Sequence, residues 1–162
     1  MLGAITGDVI GSVYEFFNYR KTDFPLFRHD STFTDDSVLT AATAEVLLRN
    51  GDYVEAYRSY GNRYPKAGYG GMFSNWLHQK DPQPYGSFGN GSAMRVAPVG
   101  WSFETLDEVL AEAKRSAAVT HNHPEGVKGA QVTAAAVFSA RTGASREEIR
   151  QLVGKLSDYN LD

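Results

Sequence analysis

Thr34-Asp35-Asp36-Ser37 stands directly before an Ala-rich apolar run and sets hard oxygen donors side by side. Adjacent carboxylates repel one another unless a cation sits between them. A hydroxyl and two carboxylates at a helix start suit Mg²⁺ or Mn²⁺ rather than zinc. The same residues also read as an N-cap, because Asp and Ser side chains accept orphan backbone N–H bonds and negative charge is favoured at the positive end of a helix. One acid would be enough for that. Upstream, Gly3, Gly7 and Gly11 recur every fourth residue; on a helix they would line one face and let another helix approach closely. Asp8 is the odd member of this apolar stretch. It needs a partner, a cation or exposure on the opposite face. Glu15 closes the segment, where the helix dipole disfavours a carboxylate.

Gly86-Ser87-Phe88-Gly89-Asn90-Gly91-Ser92-Ala93-Met94-Arg95 is a Gly-rich loop opening a short helix. Glycines let backbone N–H groups approach an anion, and a helix amino terminus adds partial positive charge, so a phosphate could dock there. A plain flexible loop is the competing reading, since neither a P-loop nor a dinucleotide fingerprint is present. His121 and His123 flank Asn122 before Pro124. Two histidines at this spacing could bind zinc, but no third ligand lies near them, which leaves helix capping or stacking on a ligand ring.

These residues need elements to hold them. The 162 residues match one domain, 1–162, and 42% hydrophobic with 22% charged residues exclude a disordered chain. A net charge of −3 leaves no broad basic face for nucleic acid. The absence of cysteine excludes disulfides and thiolate metal sites. The apolar amino terminus lacks a basic leader and no run approaches a membrane span, so a soluble, cytoplasmic protein is expected.

Leu106, Val109, Leu110, Ala113 and Ala117 form one apolar stripe behind a Thr105/Glu108 capping box. Val127, Ala130, Ala134, Val137 and Phe138 form another, entered through Pro124 and closed at Gly143. Ser145 and Glu148 open a third helix, with Ile149, Leu152, Val153 and Leu156 on one side. Val38 to Leu48 predicts a helix stopped by Asn50-Gly51, and Asp52 with Glu55 restarts one through about Tyr60. No sustained alternation marks a strand. The fold class is therefore all-α, with residues 16–33 and 64–91 expected as long loops, the natural places for a site.

Taken in order, Gly-Asp-Val-Ile-Gly-Ser-Val-Tyr-Glu at 7–15, Phe-Thr-Asp-Asp-Ser at 33–37, Gly-Asn-Gly-Ser-Ala-Met-Arg at 89–95, and Thr-His at 120–121 followed by Gly126, Gly129 and Ala130 resemble the ADP-ribosylglycohydrolase family. The resemblance implies a compact orthogonal helical bundle with two Mg²⁺ ions. It implies hydrolysis of the bond between the anomeric ribose carbon and an ADP-ribosylated protein or small ADP-ribose derivative. Nucleic acid enters only as a modified acceptor. By that resemblance Thr34, Asp35 and Asp36 match metal ligands, with Asp36 also counted among the catalytic residues. Glu15 matches an acid/base on a loop, Ser87, Phe88, Gly89, Asn90 and Gly91 a pyrophosphate and ribose loop, and His121 a histidine near the adenosine end. Asp8 is expected to support the site rather than ligate.

The chain departs from the family in lacking the second acidic cluster, Gly-Asp-x-Asp-Thr or Ser; the run from Asp158 to Asp162 does not match it. The expectation is an N-terminal part without the C-terminal portion, and two activities stay open: a hydrolase, or an ADP-ribose-binding module or half-enzyme needing a C-terminal fragment or second chain.

Overall fold

In the computed structural model, which describes residues 1–16 and 19–160, every regular element is helical. They are α1 (Leu2–Gly11), α2 (Asp35–Arg49), α3 (Tyr53–Arg63), α4 (Gly71–Leu77), α5 (Val99–Ser102), α6 (Leu106–Ala118), α7 (Pro124–Arg141) and α8 (Arg146–Leu156), with a 3₁₀ turn at Asn90–Ser92. Among the described residues there is no strand. Leu161 and Asp162, part of the comparison with the second acidic cluster, lie outside the described residues, as do two positions of the 16–33 loop.

The helix boundaries follow local chemistry. Thr105 with Glu108 and Ser145 with Glu148 form complete capping boxes on α6 and α8. Asp52 accepts the Glu55 N–H at the start of α3. Asn50 ends α2 in the left-handed region at φ 50°, and Gly143 beyond α7 takes φ +93°, where a Cβ would be strained.

Two apolar clusters hold these helices. Leu39, Ala42 and Val46 of α2 meet Tyr53 and Tyr57 of α3 and Phe73, Trp76 and Leu77 of α4. Val96 and Val99 meet Val109, Ala113 and Ala117 of α6 and Ala130 and Ala134 of α7. The 64–91 segment expected as loop therefore contains a helix, because Phe73, Trp76 and Leu77, spaced three and four apart, bury against α2 and α3. α5 is likewise a short helix without a sequence signal of its own.

α1 and α8 are the exceptions to burial: α1 contacts α2 and α8 contacts α7, yet neither has a buried residue. A Cβ added to Gly3, Gly7 or Gly11 would meet nothing within 4 Å, so no described helix uses the close approach their spacing offers. All three line an open cleft.

Candidate active site

The site begins where α1 meets the start of α2. Asp8 Oδ2 accepts the backbone N–H of Thr34 at 2.8 Å and of Ser37 at 3.1 Å. Asp8 Oδ1 accepts the Thr34 hydroxyl at 2.5 Å, and Oδ2 the Ser37 hydroxyl at 2.5 Å. A carboxylate from one helix thus satisfies the orphan donors of another, which gives the acid in the apolar stretch its partners. Thr34 is also the N-cap of α2, its Oγ1 accepting from Asp36 N at 3.3 Å. That leaves one hydroxyl lone pair unused.

Asp35 and Asp36 then diverge. Asp36 lines a cleft of about 970 Å³ with Asp8, Glu15, Thr34 and the glycines of α1. Asp35 lines a separate cleft of about 250 Å³ with Ser87, Gly89, Gly91, Arg95 and His121. Asn90 and Met94 face both and form the partition. Consecutive residues on a helix point about 100° apart, so this divergence follows from helical geometry. Burial, the neighbouring Asp36 charge and, less strongly, Glu15 and Asp8 push the Asp35 carboxyl up to about 6. Burial, Asp8 and Glu15 push Asp36 up to about 6 as well. Glu15 itself is exposed, on the segment after α1, and that segment is tied down by Tyr14 Oη donating to Pro25 O at 2.9 Å and by Thr32 N donating to Ser12 Oγ at 3.1 Å.

The Gly-rich loop is held from α7 and from the turn before it. Gly86 N donates to Asn122 Oδ1 at 2.8 Å, and Ser92 Oγ donates to Gly126 O at 2.7 Å. A Cβ on Gly126 would stand 2.5 Å from Ser87 O, and one on Gly91 would stand 3.0 Å from His121 Nε2. Close approach of backbone requires glycine at 126, while at 91 a Cβ would fit tightly against the His121 ring. The two histidines take different parts: His123 Nδ1 accepts from Glu125 N at 3.1 Å and caps α7, while His121 is buried at the small cleft. Burial, assisted by the Arg95 charge, pushes His121 down to about 4, so its ring is neutral. Phe88 is not brought to the cleft; it is 72% exposed, with its ring against His123.

Four residues given no role by the sequence reading stand at or behind the small cleft, Tyr85 and Arg95 on its lining and Thr120 and Tyr69 next to it. Arg95 is fully buried with its guanidinium over the Tyr57 ring at 4.1 Å, Thr120 is fully buried beside His121, and Tyr85 lies against the His121 ring. Tyr69, whose hydroxyl is pushed up to about 12 by burial and the Asp35 charge, has no hydrogen-bond partner among the described residues. Arg95 ended a quoted motif, but an arginine after a Gly-rich loop carries no signal that it will be buried.

The family model for ADP-ribosylglycohydrolase matches residues 1–160. The chain belongs to the ADP-ribosylglycohydrolase family. Among curated proteins it is 29% identical to the ADP-ribosylhydrolase ARH3 of Mus musculus and 29% identical to that of Homo sapiens, in each case over 100% of this chain but 54% and 55% of the relative. It is 28% identical to the Xenopus tropicalis ARH3. The chain thus spans about half the length of the curated relatives it matches. For an ADP-ribosylglycohydrolase the acidic set is short: among the described residues no group of three or more His, Asp or Glu side chains converges tightly enough to hold a metal.

Proposed function

We propose that this chain carries the substrate-binding part and the first acidic cluster of an Mg²⁺-dependent ADP-ribosylhydrolase site, which removes ADP-ribose from a modified protein or small derivative by cleaving at the anomeric carbon. The observation that carries the reading is the convergence of Ser87, Gly89, Asn90, Gly91, Asp35 and His121 on one cleft, adjoining a second that holds Thr34, Asp36 and Glu15. On the large cleft, Thr34 Oγ1 with a free lone pair and the Asp36 carboxyl, raised by burial and by the Asp8 and Glu15 charges, are donors of the kind a hard cation takes. Mg²⁺ keeps several waters and needs few carboxylates. Thr34 and Asp36 would hold it in the large cleft, Asp35 would join them only where the two clefts meet, and Mn²⁺ would serve. When bound, it supplies Lewis acidity and orients the ribose diol and a water.

The chain's own residues do the rest. Departure from the anomeric carbon builds oxocarbenium character, which the negative rim of Asp36 and Glu15 stabilises. Glu15, exposed at the cleft mouth, handles the proton of the attacking water or leaving group. Backbone N–H groups of the 87–91 loop receive the pyrophosphate, and His121 faces the distal part of the ligand. The test is release of ADP-ribose from an ADP-ribosylated protein with and without Mg²⁺. Release that Asp36→Ala abolishes supports the reading, and turnover unchanged in Asp36→Ala overturns the metal assignment.

A second reading is favoured by the short acidic set: an ADP-ribose-binding module, or one half of an enzyme whose partner segment supplies further carboxylates. Calorimetry distinguishes it, since binding of ADP-ribose without hydrolysis at saturating Mg²⁺ favours the module.

A further inference from the structure

Arg95 is a buried cation that makes no ion pair with a carboxylate among the described residues. Its Nη2 donates to the Ser116 carbonyl at 2.9 Å and to Thr120 Oγ1 at 2.9 Å. Among the described residues its Nε and Nη1 have no hydrogen-bond acceptor. Leaving a guanidinium this poorly satisfied is costly, and its placement therefore calls for a role. Thr120 Oγ1 lies 2.8 Å from His121 Nδ1.

Proton counts set the direction of these bonds. A guanidinium only donates, and a threonine hydroxyl has one proton. Thr120 Oγ1 accepts from Arg95, and its remaining neighbour is His121 Nδ1. If Nδ1 carried a proton, Thr120 would accept twice and its own buried proton would have no acceptor. If Nδ1 is bare, each proton of the relay has an acceptor: Arg95 Nη2 donates to Thr120 Oγ1, which donates to His121 Nδ1. The neutral ring then bears its proton on Nε2, at the edge against Gly91 on the wall of the small cleft.

The neighbouring network is ordered in the same way. Thr43 Oγ1 donates to Leu39 O at 2.9 Å, so it accepts from Tyr57 Oη at 3.0 Å, which in turn accepts from Ser116 Oγ at 2.8 Å. Arg95, stacked on Tyr57 and bonded to Ser116 O, is thereby fixed from α2, α3 and α6 at once.

We propose that Arg95 is a positioning residue which, through the Thr120 hydroxyl, locks His121 in the Nε2–H tautomer, so that the small cleft presents a fixed N–H donor to an acceptor atom of its ligand. The ligand part rests on the reading of that cleft as an ADP-ribose site; the tautomer part does not.

Imidazole ¹⁵N spectra of the whole chain at neutral pH test the tautomer. The wild type is expected to show the proton on Nε2, Thr120→Val to lose that preference, and Thr120→Ser to keep it. A wild-type proton on Nδ1, or a Thr120→Val spectrum identical to wild type, overturns the assignment. Arg95→Met should match Thr120→Val if it folds; if it does not, the near-isosteric Thr120→Val carries the test. Calorimetric titration with ADP-ribose then tests the role. Weakening by about fivefold to tenfold in Thr120→Val, with recovery in Thr120→Ser, is expected for one neutral hydrogen bond. Equal affinity in Thr120→Val overturns the positioning role. No binding by the wild type overturns the ADP-ribose reading and the ligand half of the proposal, while the spectra still decide the tautomer half.

Discussion

The Asp8 carboxylate grips Thr34 twice, Oδ1 taking the hydroxyl at 2.5 Å and Oδ2 the backbone N–H at 2.8 Å, across 26 residues of sequence. This one side chain joins a helix that buries nothing to the helix start that carries the candidate ligands. Asp8→Ala strands the hydroxyls of Thr34 and Ser37 and two backbone donors, and should lower stability by about 2–4 kcal/mol, the scale of losing several hydrogen bonds to a charged group. Urea unfolding would measure it. A midpoint equal to wild type would show that α1 is held by something else.

Asp35 and Asp36 should make metal-free stability depend on pH in an unusual direction. Both folded values, about 6, lie above the ordinary 3.8. The folded chain therefore binds more protons than the unfolded chain between these values. Their contribution is fully present below about 3.8 and is lost as pH rises through 6. Asp36→Asn should raise the melting temperature at pH 8 without Mg²⁺ and have little effect at pH 4. Added Mg²⁺ should stabilise the wild type more at pH 8 than at pH 5, and Asp36→Asn should blunt that gain. Thermal melts at three pH values would check all of this.

His121 works in the opposite sense. Its folded value, about 4, lies below the ordinary 6.5, so the unfolded chain binds the extra proton. Stability from keeping the ring neutral is present above 6.5 and lost as pH falls towards 4. The unfolding free energy of His121→Gln relative to wild type should be constant above pH 7 and move in favour of the variant as pH drops through that window. A difference that stays flat down to pH 4 would contradict the burial argument.

Gly126 and Gly129, less than one turn apart on α7, should respond oppositely to alanine. At Gly126 the new Cβ would meet the Ser87 carbonyl at 2.5 Å, backbone that cannot step aside without moving the loop. Gly126→Ala should lose about 1–3 kcal/mol and weaken ADP-ribose binding. At Gly129 nothing lies within 4 Å, and Gly129→Ala should gain about 0.5–1 kcal/mol from helix propensity. Paired denaturation curves would show both signs in one experiment.

The helices were legible because their signals are local. A capping box spans four residues, and Thr105 with Glu108 or Ser145 with Glu148 form theirs whatever the rest of the chain does. The Thr34-Asp35-Asp36 cluster and the 86–91 loop were legible as chemistry for the same reason. α4 was hidden because the glycines before it and the prolines after it masked a short Phe73/Trp76/Leu77 face whose stability comes from packing on α2 and α3.

Tertiary structure alone decided which partners those residues have. Residue order is enough for an all-helical chain, the position of its caps and the oxygen-rich start of α2, since each rests on bonds between near neighbours. It could not say that Asp8 would satisfy α2, that Asp35 and Asp36 would face different clefts, or that Arg95 would lie buried behind Thr120 and His121. Those relationships join residues 25 or more positions apart, and they exist only once apolar burial has brought the helices together.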